Sequence, residues 1–193
     1  MPEHTGRSFI CAVAAVDLVE YSMKDVTDQL RLRDDFTAKL LEGIEQVPPD
    51  KRIIVDTGGG AVVSFLEEPE DALFMVLHLH QAMQRAYTGE GLGGTMRSCI
   101  NLGPVVLSRD LNGRPLTVGD GVNAARQIVR AADPGEVLVS RSYCDLISRL
   151  FFEHAELFQC AGSRTDEESR AHEVYAIRDC ESALRFVKQR LRG

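Results

Sequence analysis

No stretch of this 193-residue chain approaches the ~18 uninterrupted apolar residues that a membrane span needs. The longest early run, Phe9 to Val16, stops at Asp17. Glu3 precedes that run with no basic segment or cleavage site, so a secretory leader is not expected and the chain is expected in the cytoplasm. Cys11, Cys99, Cys144, Cys160 and Cys180 are odd in number and lack a CxxC pair. They read as reduced thiols, mostly buried, rather than as a disulfide frame or zinc site. An excess of basic residues is missing too: 22 Lys and Arg face 29 Asp and Glu, for a net charge of -7. Nucleic acid is therefore not expected as a partner, since a phosphate backbone needs a basic footprint. Neither a Gly-Lys-Ser/Thr phosphate loop nor a GxGxxG fingerprint follows the triple glycine Gly58-Gly59-Gly60.

What is present is the makings of a packed α/β (α+β) domain, with 44% hydrophobic and 26% charged residues. Residues 9–17 read as a strand buried on both faces. Val26, Leu30, Phe36, Leu40, Leu41, Ile44 and Val47 recur at helical spacing until Pro48-Pro49. Arg52–Asp56 and Ala61–Phe65 flank Thr57-Gly58-Gly59-Gly60 as a hairpin. Pro69 opens a second helix. Gly89–Gly94 reads as the most flexible stretch. Met96–Leu102 reads as a strand turning at Gly103-Pro104 and continuing through Val105–Leu107, with Asn112-Gly113 as a tight turn. Val122–Ala132 (a helix), Glu136–Ser140 (a strand), Ser142–Leu150 (a helix) and Ala171–Ile177 (a strand) follow. Residues 161–171 read as a loop, and about 179–192 as a basic C-terminal helix. One domain over 1–193, its core about 9–177, accounts for these elements.

Three segments carry chemistry, each with two readings. Asp17 ends a buried strand ahead of Leu18-Val19-Glu20-Tyr21-Ser22. A carboxylate there suits a divalent cation holding phosphates, or serves as a loop cap. Gly58-Gly59-Gly60 allows a ligand close to the backbone, or makes a hairpin tip. In Gly119-Asp120-Gly121-Val122-Asn123, Asp120 is expected to cap the following helix. Asn123 and Arg126, three apart, share one helical face and one phosphate is within reach of both. His78 and His80, two apart on a helix, do not face each other, so metal ligation there is not expected.

The order of these segments, with Ile100-Asn101-Leu102-Gly103-Pro104-Val105, Pro134-Gly135-Glu136-Val137-Leu138-Val139-Ser140 and Ala171–Ile177, resembles the class III nucleotidyl cyclase catalytic domain, over about Phe9 to Ile177. The resemblance implies a ferredoxin-like βαββαβ core with extra strands and helices, and a homodimer with composite sites at its interface. It also implies Mg2+ or Mn2+ as cofactor and attack of a 3′-hydroxyl on the α-phosphate of a nucleoside triphosphate.

Residue by residue, Asp17 matches the first metal aspartate and Asn123 the ribose-orienting asparagine. The second metal aspartate is replaced by Gly59, with Asp56 and Glu20 as candidates to supply the carboxylate. The transition-state arginine is replaced by Gln127, with Arg126 one residue earlier as its substitute. Val55 and Leu116 stand where a Lys and an acidic residue read a purine. Leu18, Val19, Glu20, Tyr21 and Arg97 complete the expected substrate-binding set. Without polar groups at 55 and 116 the base pocket resembles that of stand-alone bacterial cyclases making cyclic CMP or cyclic UMP in phage defence. A catalytically inactive, dimerising relative that binds nucleotide is the competing expectation.

Overall fold

The computed structural model describes residues 6–87, 96–150, 157–165 and 169–190. The glycine-rich stretch 89–94 lies outside them. The chain order is β1 (Phe9–Leu18), α1 (Val26–Gly43), β2 (Arg52–Asp56), β3 (Gly60–Phe65), α2 (Glu70–Ala86) and β4 (Met96–Arg109). It continues with β5 (Pro115–Val118), α3 (Asp120–Arg130), β6 (Val137–Ser140), α4 (Arg141–Leu150), β7 (Phe158–Thr165), β8 (Ala171–Ile177) and α5 (Cys180–Arg190). The strands hydrogen-bond in the order β2-β3-β1-β4-β6-β8-β7, with β5 paired to β4. The first four have the expected ferredoxin-like arrangement. All four pair antiparallel, and β6 extends the sheet parallel to β4.

β1 is apolar on both faces because both faces are covered. Ala12, Ala14 and Val16 join the core beneath α1, α2, α4 and α5, while Cys11, Val13 and Ala15 join the core beneath α3. Helix α1 starts where the Asp25 carboxylate accepts the Asp28 N–H at 2.9 Å, a side-chain cap for an otherwise orphaned donor. Helix α5 is tied to the core by Ala183, Leu184 and Val187, all at most 2% exposed. Its apolar face is spent on packing. Cys11, Cys99 and Cys144 are buried, Cys180 is half-buried and Cys160 is exposed; all five are free thiols.

Two expectations need correction, and one strand was not foreseen. No turn interrupts β4 at Gly103-Pro104: the strand runs unbroken from Met96 to Arg109. Its pairing with β6 ends at Ile100, and beyond that point a free edge tolerates a proline without an N–H. Residues 161–165 are not loop but the end of β7, paired with β8 across a bulge between Cys160 and Ser163. As the outermost strand β7 keeps polar residues, and so shows no apolar period. Four-residue β5 also went unforeseen. The Asn112-Gly113 turn does join β4 to β5, with the Asp110 carboxylate accepting the Asn112 and Arg114 N–H groups, each at 2.8 Å. Among the described residues no helix is long and apolar enough to cross a membrane.

Candidate active site

The site forms where the C-terminal end of β1 meets the β2–β3 hairpin on one side and the β4 strand on the other. Asp17 pairs with Gly60 of β3 and with Arg97 of β4. Residues opposite one another across strands project to the same face, so the register sets a carboxylate beside a guanidinium. Asp17 Oδ2 accepts from Arg97 Nε at 2.9 Å and lies 2.8 Å from Nη2. Arg97 Nη1 donates to the carbonyls of Arg130 (2.7 Å) and Ala132 (3.2 Å) at the end of α3. Arg97 therefore links β1, β4 and α3.

The three hairpin glycines have three different reasons. Gly58 has φ +87°, a conformation that L side chains rarely adopt. A Cβ on Gly60 would stand 2.0 Å from the Val16 carbonyl oxygen, so only glycine lets β3 lie against β1 there. Gly59 faces Tyr21, whose Cδ1 would be 3.3 Å from an added Cβ, and its carbonyl accepts the Leu18 N–H at 2.7 Å. The hairpin-tip reading accounts for the motif. Tyr21 covers the spot from which a side chain at 59 would project.

Asp56 lines the larger cleft described below, but its carboxylate is engaged elsewhere. It pairs with Ala61, which pairs with Val16, so by strand alternation it projects from the face opposite Asp17. Its carboxylate is bound to Arg33 of α1 and accepts the Gly58 N–H at 2.7 Å, while Arg33 also reaches the Gly58 carbonyl. The two candidate metal carboxylates are not brought together. In the turn after β1, Leu18 is 2% exposed in the core and Glu20 is an exposed left-handed residue at φ 56°. Leu18, Val19, Glu20 and Tyr21 line neither cleft described below.

The start of α3 is built by backbone contact. An added Cβ on Gly103 would meet Gly121 Cα at 2.8 Å, and one on Gly121 would meet Gly103 C and O at 2.9 Å. Asn101 Nδ2 donates to the Gly121 carbonyl at 2.9 Å. The two glycine motifs are thus halves of one contact docking α3 onto β4. The expected cap is corrected here: Gly119, at φ +131°, occupies the cap position, no side chain bonds to the helix start, and Asp120 is the first helical residue. Its charge still favours the helix N-terminus.

So docked, α3 overhangs two clefts. The larger, about 370 Å3, is walled by Val55, Leu116, Thr117, Val122, Asn123 and Arg126. The smaller, about 150 Å3, is walled by Asp17, Thr57, Val129, Arg126 and Arg130. Thr57, Val62 and Arg126 belong to both. The structure therefore gathers Asp17, Asn123, Arg126, Val55 and Leu116 around a joined cleft within one chain. Sequence reasoning missed Thr57 and Thr117. The Thr117 hydroxyl is 2.6 Å from that of Ser64, both buried, at the floor of the larger cleft; a four-residue strand leaves no pattern to find it by. His78 lies 3.6 Å from Glu42, and His80 lies 2.6 Å from the Ser98 hydroxyl, so the two do not converge.

The donor set does not fit a pair of divalent cations. Asp17 already holds Arg97, position 59 has no side chain, and Asp56 is turned to α1. Among the described residues no three His, Cys, Asp or Glu side chains gather.

No protein-family model and no curated protein matches the chain. Solved structures do. An adenylate/guanylate cyclase/hydrolase from Silicibacter pomeroyi is 26% identical with a TM-score of 0.66, over 90% of this chain and 99% of that one. The guanylate cyclase domain of RhGC from Catenaria anguillulae, in complex with GTP, is 17% identical with a TM-score of 0.69, over 89% and 97%. The adenylyl cyclase CyaB from P. aeruginosa is 15% identical with a TM-score of 0.66, over 90% and 96%. The fold is that of the class III cyclase catalytic domain.

Proposed function

We propose that the chain is a nucleotide cyclase, binding a nucleoside triphosphate in the joined cleft and closing it to a 3′,5′-cyclic nucleotide with release of pyrophosphate. The observation that carries this reading is Arg126, shared by an apolar cleft large enough for a base and a charged cleft suited to phosphates. In the reaction the 3′-oxygen forms a bond to the α-phosphorus, the bond to the pyrophosphate oxygen breaks, and the hydroxyl proton leaves to solvent or base. Asn123 orients the ribose, and Arg126 faces the negative charge that grows on the leaving phosphates, where a guanidinium is most effective. Mg2+ or Mn2+ is the cofactor the resemblance implies, but Asp17, the carboxylate that would hold it, is engaged by Arg97.

The walls of Val55 and Leu116 offer no donor or acceptor to a purine edge. The side-chain hydroxyls lining the larger cleft are those of Thr57 and of Thr117, the latter paired with Ser64, and a hydroxyl donates or accepts equally. CTP or UTP is the proposed substrate, in a cytoplasmic homodimer with a second-messenger role such as phage defence. A second reading is favoured by the Asp17–Arg97 pair and the bare position 59: a dimerising, nucleotide-binding domain without turnover. Incubation with Mn2+ or Mg2+ and each of ATP, GTP, CTP and UTP, with products identified by mass, separates the two. Cyclic CMP or cyclic UMP supports the first reading. Bound nucleotide with no product from any triphosphate establishes the second.

A further inference from the structure

We infer that the smaller cleft binds polyphosphate directly through arginine, without a divalent cation. The inference rests on the nucleotide-binding reading above and concerns its phosphate end. Its starting point is the charge around Asp17. Two nitrogens of Arg97 approach the same carboxylate oxygen, at 2.9 and 2.8 Å. The third is held by two carbonyls at the end of α3. Arg97 is thus gripped on both sides, and Asp17 is a neutralised carboxylate rather than an open one.

With that pair cancelled, the remaining charged side chains lining the cleft are Arg126 and Arg130, beside the Thr57 hydroxyl. They are four residues apart on α3, which sets them one above the other on a single helical face. Arg126 is exposed and, among the described residues, has no hydrogen-bond or ion-pair partner. Asp56, which lines the larger cleft with Arg126, has its carboxylate engaged by Arg33. A cleft in a chain of net charge -7 therefore presents the unpartnered charge of Arg126, with Arg130 one helical turn on, at the spot where cations would otherwise neutralise phosphates. Guanidinium forks match phosphate oxygens bidentately, which makes arginine the side chain suited to that substitution. The ligand class is an inorganic or nucleoside polyphosphate, recognised by two adjacent phosphate groups.

The test is calorimetry on the full chain with inorganic tripolyphosphate, first in excess EDTA and then in Mg2+. Tripolyphosphate is expected to bind in EDTA within about threefold of its affinity in Mg2+. Arg126→Gln is expected to weaken binding at least ~10-fold, the cost of one charged hydrogen-bonding group, and Arg126→Lys to weaken it less. Arg97→Gln, by freeing Asp17, is expected to make binding depend on Mg2+. Because Arg126 is exposed and unpartnered, its variants test binding rather than folding.

Binding seen only in Mg2+, or binding in EDTA unchanged by Arg126→Gln, overturns the inference. Competition with CTP and UTP separates it from the reading it rests on. Nucleotides that bind tightly but only with Mg2+ overturn the inference and leave the nucleotide site standing. Metal-free tripolyphosphate binding that no nucleotide displaces supports the anion site and removes the nucleotide reading.

Discussion

The two faces of the sheet are finished by different means. Under α1, α2, α4 and α5 the core is made of large side chains: Leu73, Met75, Leu77, Leu79 and Ile100 are fully buried, with Phe65 at 1%. On the other face a single helix, α3, and the short β5 do the covering. There the residues nearest the cleft, Val62 and Val122, keep 5% and 8% exposure. Close contact on that face comes from glycine backbones, at Gly103 with Gly121 and at Gly119 over Pro104 and Val105. Bulk closes one side, and removal of bulk positions a helix beside an opening on the other. A packed face tolerates a swap of similar volume, whereas a backbone-to-backbone contact has no spare volume at all.

Gly60→Ala is expected to have the largest effect, because the methyl carbon would stand 2.0 Å from the Val16 carbonyl oxygen, in the register where β3 pairs with β1. Neither strand has a side chain that can move aside. A loss above ~4 kcal/mol, or no folded protein, is the expected outcome by urea denaturation. A well-folded variant would show that the hairpin tip is looser than its register implies.

Gly121→Ala comes next. The added carbon meets Gly103 C and O at 2.9 Å and Pro104 O at 3.0 Å, so α3 must lift from β4. An overpacking cost of ~1–3 kcal/mol is expected. Asn123 and Arg126 travel with the helix, so affinity in the cleft should fall along with stability. Lost stability with unchanged nucleotide or polyphosphate affinity would break the link between helix docking and site geometry.

The closed face was the more legible of the two in the sequence. The apolar run of β1 reports burial directly, whereas the period expected for α1 does so only in part: Phe36, Leu40, Ile44 and Val47 are buried, but Val26, Leu30 and Leu41 are exposed and the buried Leu32 was not foreseen. The glycine motifs were visible but ambiguous, since a glycine needed for a tight approach and one needed for a turn look the same in a string. Gly103-Pro104 therefore read as a turn, although Gly103 makes room for α3 within a continuous strand. Strands β5 and β7 were missed because one has four residues and the other is a polar edge. At the site, motif order was enough to name Asp17, Asn123, Arg126, Val55 and Leu116, which do converge. The Asp17–Arg97 pair was not legible: its partners are 80 residues apart, and only the β1–β4 register brings them together.

A smaller effect is expected from pH on the closed face. Burial lowers the His80 pKa from 6.5 to about 4, and its Nε2 lies 2.6 Å from the Ser98 hydroxyl. The fold thus holds a neutral imidazole. The unfolded chain takes up the proton first, so His80 costs stability as pH falls from about 6.5 towards 4. Asp71 works against it: burial, with Glu68 and Glu70 nearby, raises its pKa from 3.8 to about 6. Its contribution is present below 3.8 and lost as pH rises through 6. His80→Gln should therefore flatten the decline between pH 6.5 and 4. Urea midpoints measured across that range check this, and an unchanged pH slope would count against a neutral buried imidazole.

The smallest effect is expected at Asp56, and it sharpens the contrast between the faces most directly. Asp17 and Asp56 are both strand-end aspartates next to the same hairpin, yet the sheet sends one towards α3 and the other towards α1. Asp56 is bound to Arg33 with side chains 59% and 26% exposed, and exposed ion pairs contribute at most ~1 kcal/mol. Asparagine keeps an oxygen to accept the Gly58 N–H, so the turn itself should survive. Asp56→Asn is accordingly expected to lower stability by less than ~1 kcal/mol. It should leave polyphosphate and nucleotide affinity within about twofold of wild type, with or without Mg2+. Denaturation and calorimetry on one preparation read both quantities. A tenfold or greater loss of affinity that appears only with Mg2+ would mean that the Asp56 carboxylate leaves Arg33 to serve the cleft. The separation of the two faces would then fail at the hairpin, where neighbouring residues project to opposite faces.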